Sequence, residues 1–186
     1  MIFDLAVSDL KKCLIALQPQ DIPPRDMVRL CSNVAHGICS LHACGLVHGD
    51  IKPENVLLFM REGVLRAAVG DLDTCAFPTR KQGGAINGTA RYAPPEYQSR
   101  SPYWEHVDSP SRDVYNYGLL VWSISTGCVR DPFQSNLKSQ YDPQHDDEAA
   151  IRCLLDALPG GPTVPTLFEL INLCVRSDPE LRPTMF

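Results

Sequence analysis

The run RDVYNYGLLVWSISTG, residues 112 to 127, leaves this chain few choices of architecture. It is apolar on nearly every side, so it reads as a helix buried around most of its circumference. Such a helix must be wrapped by the rest of the molecule. Its most apolar part, Gly118 to Ile124, is far short of the roughly 18 residues that cross a bilayer, so protein and not lipid is the expected surround. The chain has 186 residues, 44% apolar and 21% charged. That is enough for one globular domain burying roughly 70% of its unfolded surface.

The wrapping elements can be read along the chain. From Pro24 to Ala43 apolar residues recur at 27, 30, 34, 38 and 41, with Gly45 where a helix commonly stops. His36 and His42 fall inside this stretch and read as ordinary helix residues. NVLLF and VLRAAVGD are strand-like runs joined by MREG, whose Gly63 suits a tight hairpin. IRCLLDAL and TLFELINLCVRS give two further amphipathic helices. TCAFPTRKQGGAINGTARY is polar, with Gly83-Gly84 adding backbone entropy, and is expected to be a mobile exposed segment. The expected class is mainly α with short β-hairpins.

Other function classes recede. A net charge of −5 with no long like-charge run argues against nucleic acid as the main partner. No membrane span is expected, and MIFDLAVSDLKK lacks a secretory leader's basic start and long apolar segment. The protein is therefore expected inside the cell, in the cytoplasm or nucleus. The eight cysteines form no C-x-x-C pair and mostly lie in apolar patterns, so they read as reduced core thiols.

HGDIKPENVLL, residues 48 to 58, puts Asp50, Lys52 and Asn55 on a loop between the long helix and the hairpin, and Asp71 ends that hairpin. Loops held by a rigid scaffold are where chemistry is usually placed, although Asp and Asn also cap turns. Taken in order, HGDIKPENVLL, VGDLDTC, GTARYAPPE, DVYNYG and DPELRPT resemble the catalytic loop, metal loop, activation-segment end, central helix and closing motif of a eukaryotic protein kinase.

The resemblance implies a protein-kinase-like C-terminal lobe. It also implies transfer of the γ-phosphate of ATP to a serine or threonine hydroxyl of a protein substrate, with Mg²⁺. In it Asp50 is the catalytic carboxylate, and its ordinary pKa of about 3.9 keeps it ionised. Lys52 reaches the transferred phosphate and marks the serine/threonine branch. Asn55 and Asp71 offer oxygens to magnesium. Phe3, Asp4, Leu5 and Ala6 match the adenine gate and hinge, making Phe3 to Ala6, Lys52 and Asn55 the expected nucleotide contacts. His48 is structural, Asp113 holds the catalytic-loop backbone, Thr89 hydrogen-bonds Asp50 and Lys52, and Glu96 with Arg182 forms a buried ion pair.

The departures are specific. Gly49 stands where many kinases carry the arginine that receives a phosphorylated activation loop, so phosphate on Thr74 or Thr79 is not expected to be the switch. Asp71-Leu72-Asp73 replaces D-F-G, and Asp73 adds charge where the family has a flexible glycine. Neither a glycine-rich loop nor the lysine-bearing strand of the small lobe is present. The resemblance thus makes residues 1–7 a remnant of the fifth strand and hinge, 8–186 the helical lobe, and about 71–96 the activation segment. A chain truncated in this way is expected to show no transfer alone. The second reading is a catalytically inactive pseudokinase, an interaction module for a scaffold or regulatory protein partner.

Overall fold

The computed structural model of the chain describes residues 5–17, 21–78, 88–97, 109–128, 132, 147–156, 158 and 164–185. Phe3, Asp4, Thr79 and the Gly83-Gly84 pair lie outside the described residues.

The central element is α3 (Pro110–Thr126), with a proline in its first turn and Gly127 closing it in the left-handed region. Fourteen of its seventeen residues are buried, so its neighbours do enclose it. α2 (Pro24–Ala43) packs on one side, presenting Met27, Leu30, Cys31, Val34 and Ile38 from a single stripe. Tyr117 Oη donates to Cys31 O at 3.2 Å across that contact. α5 (Pro165–Cys174) lies against another side and contributes Leu167, Ile171 and Cys174 to the core. α4 (Asp147–Asp156) is fastened by Trp122, whose indole N–H donates to Leu154 O at 2.6 Å. Burying these apolar side chains is worth roughly 1.5–3 kcal/mol each.

The sheet is antiparallel with order β1-β2-β3: β1 (Ser8–Asp9), β2 (Val56–Arg61) and β3 (Val64–Val69). β2 and β3 form the expected hairpin, with Arg61 opposite Val64 and Glu62-Gly63 in the turn at φ 51° and 72°. β3 is held to α2 by Arg29 Nε donating to Leu65 O at 3.1 Å and by Ala67 N donating to Asn33 Oδ1 at 3.1 Å.

Two features go beyond the sequence reading. β1 pairs with β2 through Ser8 and Leu58, making a third strand. It then turns directly into a short helix, α1 (Leu10–Ala16), capped by Asp9 accepting from Lys12 N at 2.8 Å. Leu10 and Leu14 are its buried residues, and Leu10, Cys13, Leu14 and Leu17 carry the helical spacing, but over only seven helical residues. All eight cysteines are free thiols; Cys31 and Cys174 are core residues, while Cys44 is exposed, contrary to its expected burial. Among the described residues no helix is long and apolar enough to cross a membrane.

Candidate active site

The loop from His48 to Asn55 leaves α2 through Val47, whose backbone forms a bridge with Ala76. His48 is fully buried. Its Nε2 lies 2.9 Å from Gly70 O, which can only accept, so the proton sits on Nε2 and Nδ1 accepts from Asp50 N at 3.2 Å. Thr74 Oγ1 donates to His48 O at 2.9 Å, and Gly70 N donates to Asn55 O at 2.8 Å. These bonds lash the end of the hairpin to the loop, which brings Asp71 next to Asn55 despite the intervening sequence. Asp71 is exposed and takes a left-handed backbone, φ 59°, a conformation that Asp tolerates better than most residues.

Asp113, in the first turn of α3, holds the same loop from below. Its carboxylate is fully buried; Oδ1 accepts from Gly49 N at 2.8 Å, and Oδ2 from His48 N at 2.8 Å. Oδ2 also lies 2.9 Å from His42 Nε2. His42 is therefore not the plain helix residue its position suggested, whereas His36 is exposed on α2. A signal was present: 34, 38 and 42 continue the apolar stripe at four-residue spacing, and a histidine on such a stripe is buried and needs a partner.

At the centre, Asp50 uses both carboxylate oxygens. Thr89 N donates to Oδ1 at 2.8 Å; Lys52 Nζ and Asn55 Nδ2 donate to Oδ2 at 2.5 and 3.0 Å. Lys52 Nζ also donates to Thr89 Oγ1 at 2.7 Å. Burial alone would raise the Asp50 carboxyl, but the hydrogen bonds from Lys52 and Thr89 and the lysine's charge hold it below its ordinary value of 3.8. It is an anchored, ionised base with the Lys52 ammonium hydrogen-bonded to it.

Asn55 commits its Nδ2 to Asp50 O and Oδ2, at 2.9 and 3.0 Å, which turns the amide oxygen away from Asp50. That oxygen and the Asp71 carboxylate, on adjoining backbone, are hard donors of the kind magnesium prefers. Among the described residues no group of three His, Cys, Asp or Glu forms a metal cage. Magnesium does not require one, because it keeps waters and substrate phosphate oxygens in its shell, so the residues present fit the ion. Asp73 is exposed in the turn Leu72–Thr74 and has no positive φ, so this position needs no glycine here.

The outer residues fall into two further groups. Glu96 and Arg182, both fully buried, pair through Nη1–Oε1 at 2.7 Å and Nη2–Oε2 at 2.8 Å. Arg182 also donates to Arg176 O, Ser111 O and Ser177 O, and lies over the Tyr115 ring. Glu54 Oε1, not singled out by the sequence, accepts from Lys11 Nζ at 2.8 Å and Arg91 Nη2 at 2.7 Å, tying α1 to the turn Ala90–Tyr92. Leu5 is 91% exposed and Ala6 half-buried, on the segment whose Val7 N bonds Leu58 O. Those two belong to the sheet edge and take no part in the Asp50 network.

The site is a carboxylate, a lysine and an amide converging on one loop of a helical lobe built around a buried helix. Comparison with known proteins gives the class directly: the family model of the protein kinase domain matches residues 1–186. The chain is 31% identical over 170 residues to the serine/threonine-protein kinase PknL of Mycobacterium tuberculosis, covering 91% of this chain and 40% of that protein. It is 27% identical over 182 residues to the serine/threonine/tyrosine-protein kinase HT1 of Arabidopsis thaliana, covering 96% and 42%. A probable serine/threonine-protein kinase, PkwA of Thermomonospora curvata, is 30% identical over 156 residues, 83% of this chain and 19% of that one. The chain belongs to the protein kinase domain family, and it spans 42% or less of the length of these relatives.

Proposed function

We propose that these residues form the catalytic, helical half of a protein serine/threonine kinase that transfers the γ-phosphate of ATP to a protein hydroxyl. In this reading residues 1–7 serve as fifth strand and hinge, 8–186 as the helical lobe, and about 71–96 as the activation segment. The observation that carries the reading is the state of Asp50, ionised and fixed through both oxygens by Lys52, Asn55 and Thr89.

Oδ2 of Asp50 already accepts two hydrogen bonds, but Oδ1 accepts only the one from Thr89 N and keeps a lone pair, with which it can orient a substrate hydroxyl and accept its proton. Lys52 has three N–H donors and uses one on Asp50 and one on Thr89, leaving the third for a phosphoryl oxygen. Asn55 and Asp71 would hold magnesium, which when bound neutralises charge on the transferring phosphate. A cytoplasmic or nuclear setting, where ATP is abundant, is part of the same proposal. An interaction module would have no use for a carboxylate, lysine, amide and second carboxylate so arranged, and the kinase reading is the better supported.

The test is transfer of labelled γ-phosphate to a mixed protein substrate by the full natural protein with Mg²⁺. Asp50→Asn should lower the rate about 10²–10⁴-fold under conditions where parent and variant are both fully folded. Equal rates for parent and variant would refute the assignment, as would a parent with no transfer.

A further inference from the structure

The side chain missing at position 49 has not left a void. Gly49 has φ +78°, and a Cβ built there would lie 3.2 Å from Arg112 Nη1 and 3.3 Å from its Cζ. Gly88 has φ +125°, and its Cβ would lie 2.6 Å from Arg112 Nη2, 2.8 Å from Gly49 O and 3.5 Å from Asp50 Oδ1. One guanidinium thus fills the space above two glycines, one in the catalytic loop and one beside Thr89. Both conformations are ones that L side chains rarely adopt, and at 88 a Cβ would also collide with the Gly49 carbonyl and the guanidinium, so backbone favours glycine at both positions and space demands it at 88.

Arg112 comes from the first turn of α3, is 6% exposed, and lies over the Tyr97 ring at 4.2 Å. Burial lowers its pKa to about 10, while the charges of Asp113, Asp50 and Glu96 oppose the fall, so it remains a cation at neutral pH. A cavity of about 10 Å³, room for a single water, is lined by Arg112, Asp50, Thr89 and Asn116 together with the apolar Ala93 and with Tyr92. Asn116 Oδ1 is buried there with no hydrogen-bond partner among the described residues.

We infer that Arg112 is a positioning residue: from helix α3 it supplies the cation that Gly49 cannot, and clamps the Gly88-Thr89 backbone onto Asp50. Thr89 N and Asp50 Oδ1 are the bonded pair that this clamp holds. The activation-segment end is then fixed by a charge already built into the fold and compensated by three carboxylates, so no phosphate is required to draw it in. This deepens the kinase reading and rests on it only for its kinetic consequence.

Two measurements on the full natural protein test it, with Arg112→Gln and Arg112→Lys beside the parent. Amide hydrogen exchange at Thr89 should quicken at least tenfold in Arg112→Gln and less in Arg112→Lys, with Leu58 and Ile38 unchanged. Protection of Thr89 equal to the parent in both variants overturns the proposal, whether or not the protein is a kinase. In phosphoryl transfer, kcat should fall at least tenfold in Arg112→Gln and recover partly in Arg112→Lys, with KM for ATP and substrate within twofold. A kcat within twofold of the parent overturns the proposal. So does an equal loss in both variants that matches their loss of folded protein, since that is a structural role alone. A parent without transfer defeats the kinase reading instead, and the exchange measurement still decides the clamp.

Discussion

Replacing Asp113 by Asn keeps shape and burial and removes one charge, which makes it a sharp probe of how the catalytic loop is held. The carboxylate faces three groups: Gly49 N at 2.8 Å on Oδ1, with His48 N at 2.8 Å and His42 Nε2 at 2.9 Å on Oδ2. An amide offers only one accepting oxygen. With that oxygen toward Gly49, the NH₂ group meets two donors. Turned over, it meets one, the Gly49 amide, so the second orientation should win. One backbone N–H is then left buried without an acceptor, costing about 1–3 kcal/mol, and two charge-assisted bonds become neutral ones, costing about 1 kcal/mol each. Against this, a buried charge no longer has to be desolvated, so a net loss of about 2–4 kcal/mol is expected. With a urea m-value of about 2 kcal/mol/M, the midpoint should fall by about 1–2 M at unchanged m. Exchange at the Gly49 amide should accelerate in parallel. A midpoint within about 0.3 M of the parent would refute the claim that Asp113 anchors the loop through its charge.

Three other expectations can be checked with the same material. Glu96→Ala leaves the Arg182 guanidinium buried without its counter-charge and should cost about 3–5 kcal/mol, while Glu96→Leu combined with Arg182→Met should recover more than half; simple additivity of the single losses would contradict this. Asp9, Asp50 and Glu54 are all held below their ordinary values of 3.8, 3.8 and 4.5, burial opposing and the hydrogen bonds of Lys12, Lys52 with Thr89, and Lys11 prevailing. Depressed folded values mean that the unfolded chain takes up protons first, so this stabilisation is complete above about pH 4.5 and is lost as pH falls through the folded values; a urea midpoint flat from pH 5 to 3 would count against it. Exposed Cys44 should be alkylated first, while Cys31 and Cys174, which burial pushes up to about 12, should react only on unfolding; native labelling of either at the Cys44 rate would show that the core opens readily.

What could be read from sequence was what repeats or stays local. The stripe of α2, the all-round burial of α3 and the Gly63 turn follow from spacing over a few residues. The grouping of Asp50, Lys52 and Asn55 was legible because six positions of chain confine them. The clamps were harder because each joins residues distant in sequence, and no local pattern encodes a partner. His42 and Asp113 are 71 positions apart, and no local pattern joins them; Glu96 and Arg182, 86 apart, are paired in the sequence only through the family resemblance. Glu54 illustrates the same limit. Inside KPEN it looks like a solvated turn residue, and only the fold reveals that Lys11 and Arg91 converge on one of its oxygens.

Three consecutive residues explain why the site sits where it does. Ser111 O accepts from Arg182 Nη1 at 3.0 Å, Arg112 fills the space over Gly49 and Gly88, and Asp113 holds His48 N and Gly49 N. The closing turn, the Gly88-Thr89 backbone and the His48–Asn55 loop are therefore all referred to the first turn of one helix. That helix is buried along nearly its whole length, so its start cannot shift without disturbing the core. The position of the cation matters for the same reason. An arginine carried by the loop at position 49 would need an external anion to order it, at a rotamer entropy cost of up to about 2 kcal/mol. An arginine carried by α3 is ordered by the packing that folds the protein, and the loop beside Asp50 is left free to be glycine.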